Sequence, residues 1–231
     1  MQITFFWVNH SLFMLVNMSM EEFDISLEEK NFLDNLTRFM ADKQFVAQVI
    51  NESRKNPNRE NYPSIDLGSY DDAEHGLLFG AQNHVMIDPF LSPEVSVQMI
   101  SRLKDYGAKI SQVSQHENIR KVEYSVGGTN RVIELVTADA DKLDKELEER
   151  IRRGISSLIM KGMGGFKGQD GYTDLIGVLE KYIQFLQVDG LLLSGVTPQT
   201  KFKKIGQGNL PYWVHSSQDY RLSPHGLYLK K

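Results

Sequence analysis

The stretch "YPSIDLGSYDDAEHGLLFGAQNHVMIDPF" (62–90) contains two short apolar runs that each end in an aspartate, Asp66 and Asp88. Gly68 follows the first run, and the residues between the runs can form a helix. A parallel strand that turns through glycine into a helix brings backbone N–H groups to the carboxyl edge of the sheet, where ligands bind. An acid about 20 residues further on can accept both hydroxyl hydrogens of a ribose. These residues therefore favour a nucleoside ligand.

A structural alternative explains the second acid about equally well. Many strands end in aspartate because the carboxylate caps the helix that follows. Asp88 stands directly before "PFLSPE", where a helix is expected. Asp88 alone does not distinguish ribose binding from helix capping, so the order of the segments after residue 90 is needed to choose between them.

Hydrophobic periodicity predicts the elements that position these residues. Residues 21–55 have helical spacing, with Ser26 and Glu29 as a capping box, and the proline-containing stretch 54–63 marks a linker. The next predicted ranges are strand 64–67, helix 72–81, strand 84–88 and helix 92–107. This alternation predicts an α/β fold with a doubly wound, mostly parallel sheet.

The second half of the chain continues the alternation and closes with two strands. The stretch 121–136 predicts a hairpin through its glycine-rich turn, whereas 108–115 alternates only weakly. The further predicted ranges are helix 138–154, strand 155–160, loop 162–171, helix 172–187 and strand 190–195. A loop rich in lysine and glycine follows, and residues 212–231 supply two strands that are antiparallel neighbours if joined directly.

The composition excludes several classes of function. The 231 residues are 41% hydrophobic and 24% charged, which is ordinary for a soluble protein with one full α/β domain. The net charge of −4 gives no global positive field, so we expect a small-molecule substrate and no nucleic-acid partner. The absence of cysteine excludes disulfides, thiolate metal sites and cysteine nucleophiles, and it is compatible with a cytoplasmic location.

The first twenty residues, "MQITFFWVNHSLFMLVNMSM", contain no Lys, Arg, Asp or Glu. They fit neither a signal peptide, which needs a positive start, nor a membrane span, which needs about 20 uninterrupted apolar residues. One interpretation is a segment that packs on the domain or precedes a start at Met18 or Met20. The other is an apolar contact between copies in a homo-oligomer, which an unchanged oligomeric state after deletion of residues 1–17 would exclude.

The order of motifs from about residue 60 onwards resembles the class I S-adenosylmethionine-dependent methyltransferase family. "IDLGSYD" (65–71) resembles its first motif, and "VMIDPF" (85–90) resembles the acidic end of its second strand. "VTADADKL" (136–143) resembles its adenine-contacting loop, and "LQVDGLLLSG" (186–195) its fifth strand. The resemblance implies a Rossmann-like methyltransferase domain over 61–231 with an antiparallel last strand, preceded by an N-terminal extension with helices over 1–60.

The resemblance also implies S-adenosylmethionine as the cofactor and methyl transfer to an oxygen or nitrogen of a small-molecule acceptor. In the family the first-motif loop holds the methionine part, the acid after the second strand binds the ribose, and the third motif contacts the adenine. The implied residues are Asp66, Gly68, Ser69 and Tyr70 at the methionine end, Asp88, Pro89 and Phe90 at the ribose and adenine, and Asp139 and Ala140 at the adenine edge.

The first motif departs from the family pattern. The second and third glycines of G-x-G-x-G fall on Tyr70 and Asp72, and a side chain at Tyr70 narrows the space for the cofactor's tail. This keeps open an alternative function, a non-catalytic binding or scaffold protein with a degenerate cofactor pocket. A nicotinamide-dependent oxidoreductase is disfavoured because G-x-G-x-x-G is missing.

The predicted hairpin at 121–136 leaves one strand assignment open. Either 108–113 or 131–136 is the third parallel strand.

Residues for acid–base chemistry or metal binding are few. The histidine candidates for a general base are His215 and His225 on the closing strands, and His75 and His84 beside the first crossover helix. The oxygen donors suited to Mg²⁺ are Asp139, Asp141 and Asp170. Helix capping and turn formation explain these aspartates better, so we predict no metal site.

Overall fold

The structure is a computed structural model of the chain. It describes residues 26–38, 40–68, 74–160, 175–198, 201–214 and 219–231. The predictions that lie outside the described residues concern 1–17, Ser69, Tyr70, the loop 162–171, Asp170 and His215.

The described strands form one sheet with nine members. In chain order they are β1 (Ser64–Leu67), β2 (Asn83–Ile87), β3 (Lys109–His116), β4 (Ile119–Val126), β5 (Thr129–Val136), β6 (Ile155–Met160), β7 (Leu186–Ser194), β8 (Phe202–Val214) and β9 (Asp219–Lys230). Their spatial order is β3-β4-β5-β2-β1-β6-β7-β9-β8.

The sheet is parallel at its centre and antiparallel at both edges. The five strands from β5 to β7 pair in parallel. The last strand, β9, lies between β7 and β8 and is antiparallel to both, in agreement with the predicted antiparallel last strand. The central strands β1 and β6 are buried along their whole length, which explains why they stand in the sequence as short, nearly continuous apolar runs.

The third parallel strand is β5, which settles the alternative that the sequence left open. Ile87 at the end of β2 pairs in register with Val136 at the end of β5, and the pairing is parallel. β3 and β4 extend the sheet beyond β5 as antiparallel strands. The segment 108–113 therefore belongs to an outer strand, and its weak alternation fits the exposure of most of β3.

Six helices lie within the described ranges. They are α1 (Leu27–Thr37), α2 (Lys43–Lys55), α3 (Glu74–Leu77), α4 (Pro93–Asp105), α5 (Lys145–Arg152) and α6 (Leu175–Ile183). The helix predicted over 138–154 begins late because the Asp144 side chain caps it, accepting from Leu147 N at 2.8 Å. The helix predicted over 72–81 ends early in turns that lead to Gly80, which has a φ of 60°. The helix predicted over 172–187 ends before β7 begins at Leu186.

Two segments that were not predicted as strands belong to β7 and β8. The strand predicted at 190–195 begins at Leu186 and passes through Asp189, which has a φ of 62°, so the segment before residue 190 is an irregular part of β7. The lysine- and glycine-rich segment forms the first part of β8. A Cβ on Gly208 would lie 2.3 Å from the Phe45 side chain of α2, so close packing, and not a turn, requires that glycine.

Both faces of the sheet are covered by helices. One apolar cluster joins Phe32 of α1, Val49 of α2 and Met99 of α4 to one face. The other cluster joins Leu147 of α5 and Tyr182 of α6 to the opposite face. No helix in the described part of the chain is long and apolar enough to cross a membrane.

The N-terminal helices are tied to the sheet by polar contacts. The predicted cap is present, because the Ser26 hydroxyl accepts from Glu29 N at 3.1 Å. The Glu29 carboxylate lies 2.8 Å from Arg131 Nη2 of β5, and the Gln48 side chain donates to Ile205 O of β8 at 2.5 Å. α1 and α2 are therefore held to strands near both edges of the sheet.

Candidate functional site

The carboxyl ends of the parallel strands lie side by side at one edge of the sheet, which we call the carboxyl rim. It is defined by the strand ends at Leu67, Ile87, Val136 and Met160. From β1 the chain passes to β2 and β5 on one side, and later to β6 and β7 on the other side. Such a reversal opens a crevice beyond the strand ends, and ligands of open α/β sheets bind there.

Asp66 and Gly68 reach the rim from β1. Asp66 is fully buried and pairs in register with Met86 of β2 and Ile159 of β6. The N–H of Gly68 donates to Ile87 O at 3.0 Å, and its φ of 71° lies in the left-handed region that favours glycine. Gly68 therefore closes β1 against β2 with no side chain at this point of the rim.

Asp88 follows β2 directly and is 2% exposed. Its N–H donates to Val136 O at 3.1 Å, and its Oδ1 accepts from Phe90 N at 2.8 Å. Asp88 lies two residues beyond Met86, the register partner of Asp66. Strand spacing then places the Cα atoms of the two aspartates about 8 Å apart. The structure thus brings both acids to neighbouring strand ends.

The helix-capping explanation of Asp88 is not supported by the geometry. The N-cap of α4 is Ser92, whose hydroxyl accepts from Val95 N at 3.4 Å. The Asp88 carboxylate instead closes a turn at the rim through Phe90 N.

Asp139 and Ala140 reach the rim from the loop after β5. The Asp139 carboxylate is half exposed and lies 3.4 Å from Lys142 Nζ. The carbonyl of Ala140 accepts from the Tyr182 hydroxyl of α6 at 2.7 Å. Since β5 neighbours β2, this loop leaves the sheet next to the Asp88 turn, where Thr137 Oγ1 donates to Leu91 O at 2.6 Å.

Phe90 is an apolar side chain left open to solvent next to the buried Asp88. It is 54% exposed, whereas most large apolar side chains in the described part of the chain are buried. Pro89 between them is partly exposed. An exposed aromatic ring beside a carboxylate offers a stacking surface and a hydroxyl acceptor together.

The histidines are separated from these aspartates. His225 is buried at the point where β9 passes the end of β7, and its Nδ1 lies 2.9 Å from Ser223 O. β1 and β9 are separated by β6 and β7, which puts His225 on the far side of the rim from Asp88. His84 lies near the amino end of β2, with its Nδ1 2.6 Å from the Ser64 hydroxyl. His84 and the neighbouring helix α3, which carries His75, therefore lie at the amino ends of the strands, away from an acceptor at the rim.

Gly76 in α3 is where the helix meets the His84 ring. A Cβ at this position would lie 1.9 Å from His84 Cε1 and Nε2, and the ring is held by Ser64 and cannot move freely. We expect Gly76→Ala to lower the free energy of unfolding by about 2–4 kcal/mol, through overpacking and loss of the Ser64–His84 hydrogen bond. Urea denaturation of Gly76→Ala, His84→Ala and the double variant would measure this effect. If the two changes add without coupling, the ring contact is not the cause.

Tyr182 of α6 contacts the loop after β5 through its phenol. Burial raises the pKa of the Tyr182 phenol, and Glu148 and Asp141 raise it further, so Tyr182 stays a hydrogen-bond donor to Ala140 O at neutral pH. Among the described residues, no group of three or more His, Asp or Glu side chains has the arrangement of a metal site.

Sequence patterns did not predict two contacts between distant residues, one at the rim and one between α3 and the end of α4. Thr137 Oγ1 donates to Leu91 O at 2.6 Å, and the Tyr106 hydroxyl donates to Glu74 Oε1 at 2.8 Å. The paired residues are 46 and 32 positions apart. Local periodicity contains no signal for contacts at such separations.

The comparisons with known proteins give similarity of structure only. No family model and no curated protein matches the sequence. The N-methyltransferase NodS from Bradyrhizobium japonicum WM9 is similar with a TM-score of 0.45 and 9% identity, over 81% of this chain and 95% of that chain. Precorrin-6y C5,15-methyltransferase from Geobacter metallireducens GS-15 has a TM-score of 0.45 and 10% identity, over 92% of this chain and 95% of that chain. SMU.1697c, a putative methyltransferase from Streptococcus mutans in complex with SAH, has a TM-score of 0.39 and 9% identity, over 89% of this chain and 99% of that chain.

Proposed function

We propose that the protein binds S-adenosylmethionine at the carboxyl rim and transfers its methyl group to an oxygen or nitrogen of a small-molecule acceptor. The observation that carries the proposal is the convergence of Asp66 with Gly68, Asp88 with Phe90, and Asp139 with Ala140 on the adjacent ends of β1, β2 and β5. The antiparallel β9 between β7 and β8 also agrees with the fold that the motif order implies.

Each of the three strand ends suits a different part of the cofactor. Asp88 accepts hydrogen bonds from the ribose hydroxyls, and the exposed Phe90 ring covers the adenine face beside it. Asp139 and Ala140 border the adenine edge, where Tyr182 fixes the Ala140 carbonyl. Gly68, with its left-handed φ, lets the cofactor's methionine end approach the backbone near Asp66. Ser69 and Tyr70 are proposed at the same end from the sequence alone.

The bound cofactor supplies an electrophilic methyl group on a sulfonium. The role of the chain is to align the acceptor atom with that methyl group and to keep water away. An acceptor that carries a proton also needs a base, and His225 at the far side of the same rim is the candidate among the described residues. We propose the apolar N-terminal residues as a contact between copies of the chain.

Calorimetry against S-adenosylmethionine and SAH tests the proposal directly. We expect saturable binding of both ligands with one site per chain, and competition between them. Folded protein that gives no heat at millimolar ligand, with no spectroscopic sign of binding, would exclude the site. ATP serves as a control ligand, because it shares the adenosine but lacks the methionine.

A non-catalytic binding protein on the same fold remains the second candidate. Tyr70 and Asp72 replace two glycines of the first motif, and this is the observation that favours it. Binding of the cofactor without methyl transfer to a panel of hydroxyl and amino acceptors would support this second candidate, whereas release of SAH in the presence of one acceptor would exclude it.

A further inference from the structure

A pocket of about 300 Å³ lies between the start of α4 and the turn that joins β3 to β4. Two buried leucines, Leu91 and Leu135, contribute to its lining. The polar residues that line it include Ser92, Ser96, Gln115, Asn118 and Arg120. We call it the hairpin pocket. Its volume is at the lower end of the range for small-molecule sites.

The hairpin pocket lies at the carboxyl rim, next to the residues proposed for the nucleoside but separate from them. β4 starts opposite the end of β5, with Ile119 paired to Val136, which places the β3–β4 turn at this edge of the sheet. The described lining includes Leu91 and Thr137 but not Asp88, Phe90 or Asp139. The pocket is therefore a candidate for a second ligand.

Arg120 is held at the pocket by acceptors that carry no charge. Its Nε and Nη2 donate to Gln115 Oε1 at 3.2 and 2.6 Å, and its Nη1 donates to Pro93 O at 3.3 Å. Within the described ranges it forms no ion pair. Each terminal nitrogen of the guanidinium then keeps one further N–H for a ligand.

The fixed guanidinium favours an oxyanion as the ligand. Carboxylate and phosphate oxygens match its planar fork, and a donor that is already in position loses less entropy on binding. The amino end of the 13-residue helix α4 adds a positive partial charge on the same side. Asn118 Nδ2, which donates to Thr137 O at 3.3 Å, keeps a second N–H at the pocket.

Two carboxylates near the pocket oppose a negative ligand. Glu117 lines the pocket, and Glu94 belongs to the first turn of α4. Both residues are exposed, so water and salt screen their charges. A direct N–H contact from Arg120 is screened less, and the net preference is therefore for an anion.

We infer that the hairpin pocket binds a small molecule through a carboxylate or phosphate group, and that Arg120 contacts this group. The site goes beyond the proposed methyl transfer and does not depend on S-adenosylmethionine.

An NMR titration of the isotope-labelled protein with inorganic phosphate, phenyl phosphate and benzoate tests the site. We expect saturable shifts of the Arg120 Nε–H signal and of the amide signals of Ser96 and Asn118. Tighter binding of phenyl phosphate than of inorganic phosphate supports an organic phosphate as the ligand, and tighter binding of benzoate supports a carboxylate. The absence of saturable shifts with all of these probes would overturn the inference.

Two variants with opposite expected effects test the role of charge at the pocket. Arg120→Gln should weaken the binding of the tightest probe about tenfold. Glu117→Gln should strengthen it about two- to fourfold, because a repelling carboxylate is removed. Arg152→Gln is the matched control, since Arg152 pairs with Glu148 on α5, which covers the opposite face of the sheet. It should leave the affinity within about twofold.

The variants also decide the case in which Arg120→Gln lowers the stability. The Glu117 side chain has no contact among the described residues, so the opposite shift in Glu117→Gln is then the deciding result. An affinity that is unchanged in both variants would overturn the inference.

Asp88→Asn separates this site from the proposed function. It should leave the binding of the probe unchanged, and a parallel loss of probe binding would show that the pocket is not a separate site. Failure of the protein to bind SAH would remove the proposed function and leave this test intact.

Discussion

Asp88→Asn should weaken the binding of S-adenosylmethionine and SAH by about tenfold to 150-fold while leaving the free energy of unfolding nearly unchanged. The loss corresponds to about 1.5–3 kcal/mol, the range for hydrogen bonds to a charged acceptor. An asparagine keeps the volume of the side chain and an oxygen that can accept from Phe90 N. It loses the negative charge and the capacity to accept from both ribose hydroxyls.

Asp88→Ala separates the two roles of the residue. Alanine removes the ligand contact and also the Asx turn at Phe90 N, so we expect the same loss of affinity together with about 1 kcal/mol lower stability. Glu149→Gln on α5 is a matched control, since it removes an exposed carboxylate from another part of the surface. Calorimetry and urea denaturation measure the two effects. An affinity that does not change in Asp88→Asn would remove Asp88 from the site.

Alkaline pH should destabilise the protein steeply. Burial raises the pKa of Tyr106, Tyr124 and Tyr182 above the usual value of about 10. At pH values between about 10 and these raised pKa values, the unfolded chain has lost phenol protons that the folded chain still keeps. The free energy of unfolding therefore falls as pH rises through this range. Below about pH 9 this contribution is nearly independent of pH. For three such tyrosines we expect a loss of about 4 kcal/mol between pH 9 and pH 11.

Denaturation by urea at several pH values between 8 and 11 measures this loss. Tyr182→Phe should reduce the pH-dependent part by about a third, because phenylalanine does not ionise in either state. It should also lower the stability at neutral pH, since Tyr182 donates to Ala140 O. A wild-type protein whose unfolding free energy is constant from pH 9 to pH 11 would contradict the burial of these phenols.

The parallel strands at the centre of the sheet could be predicted from the sequence to within a few residues. β1 was predicted at 64–67 and β6 at 155–160, which are their observed bounds. Strands buried on both faces must be apolar along their length, so their ends coincide with polar or glycine residues. Because parallel strands share an orientation, the same pattern placed the Asp66 and Asp88 strand ends at one edge.

The elements at the edges and the loop contacts could not be predicted in the same way. The glycines of β8 suggested a loop, but Gly208 is required by the approach of Phe45 from α2. The amphipathic stripe of α5 extends into residues before Lys145, and only the Asp144 cap decides where the helix begins. The partners of Glu74 and Ala140 are Tyr106 and Tyr182, which are more than 30 residues away. Such pairs depend on the assembled fold.

The position of β9 between β7 and β8 has a consequence for the order of assembly during translation. β8 precedes β9 in the chain, but its described strand pairing is with β9 alone. A nascent chain that has left the ribosome only as far as Val214 can complete the central parallel strands but lacks β9, the strand with which β8 pairs. We therefore expect the sheet to be completed late, after β9 has been synthesised and has paired with both β7 and β8.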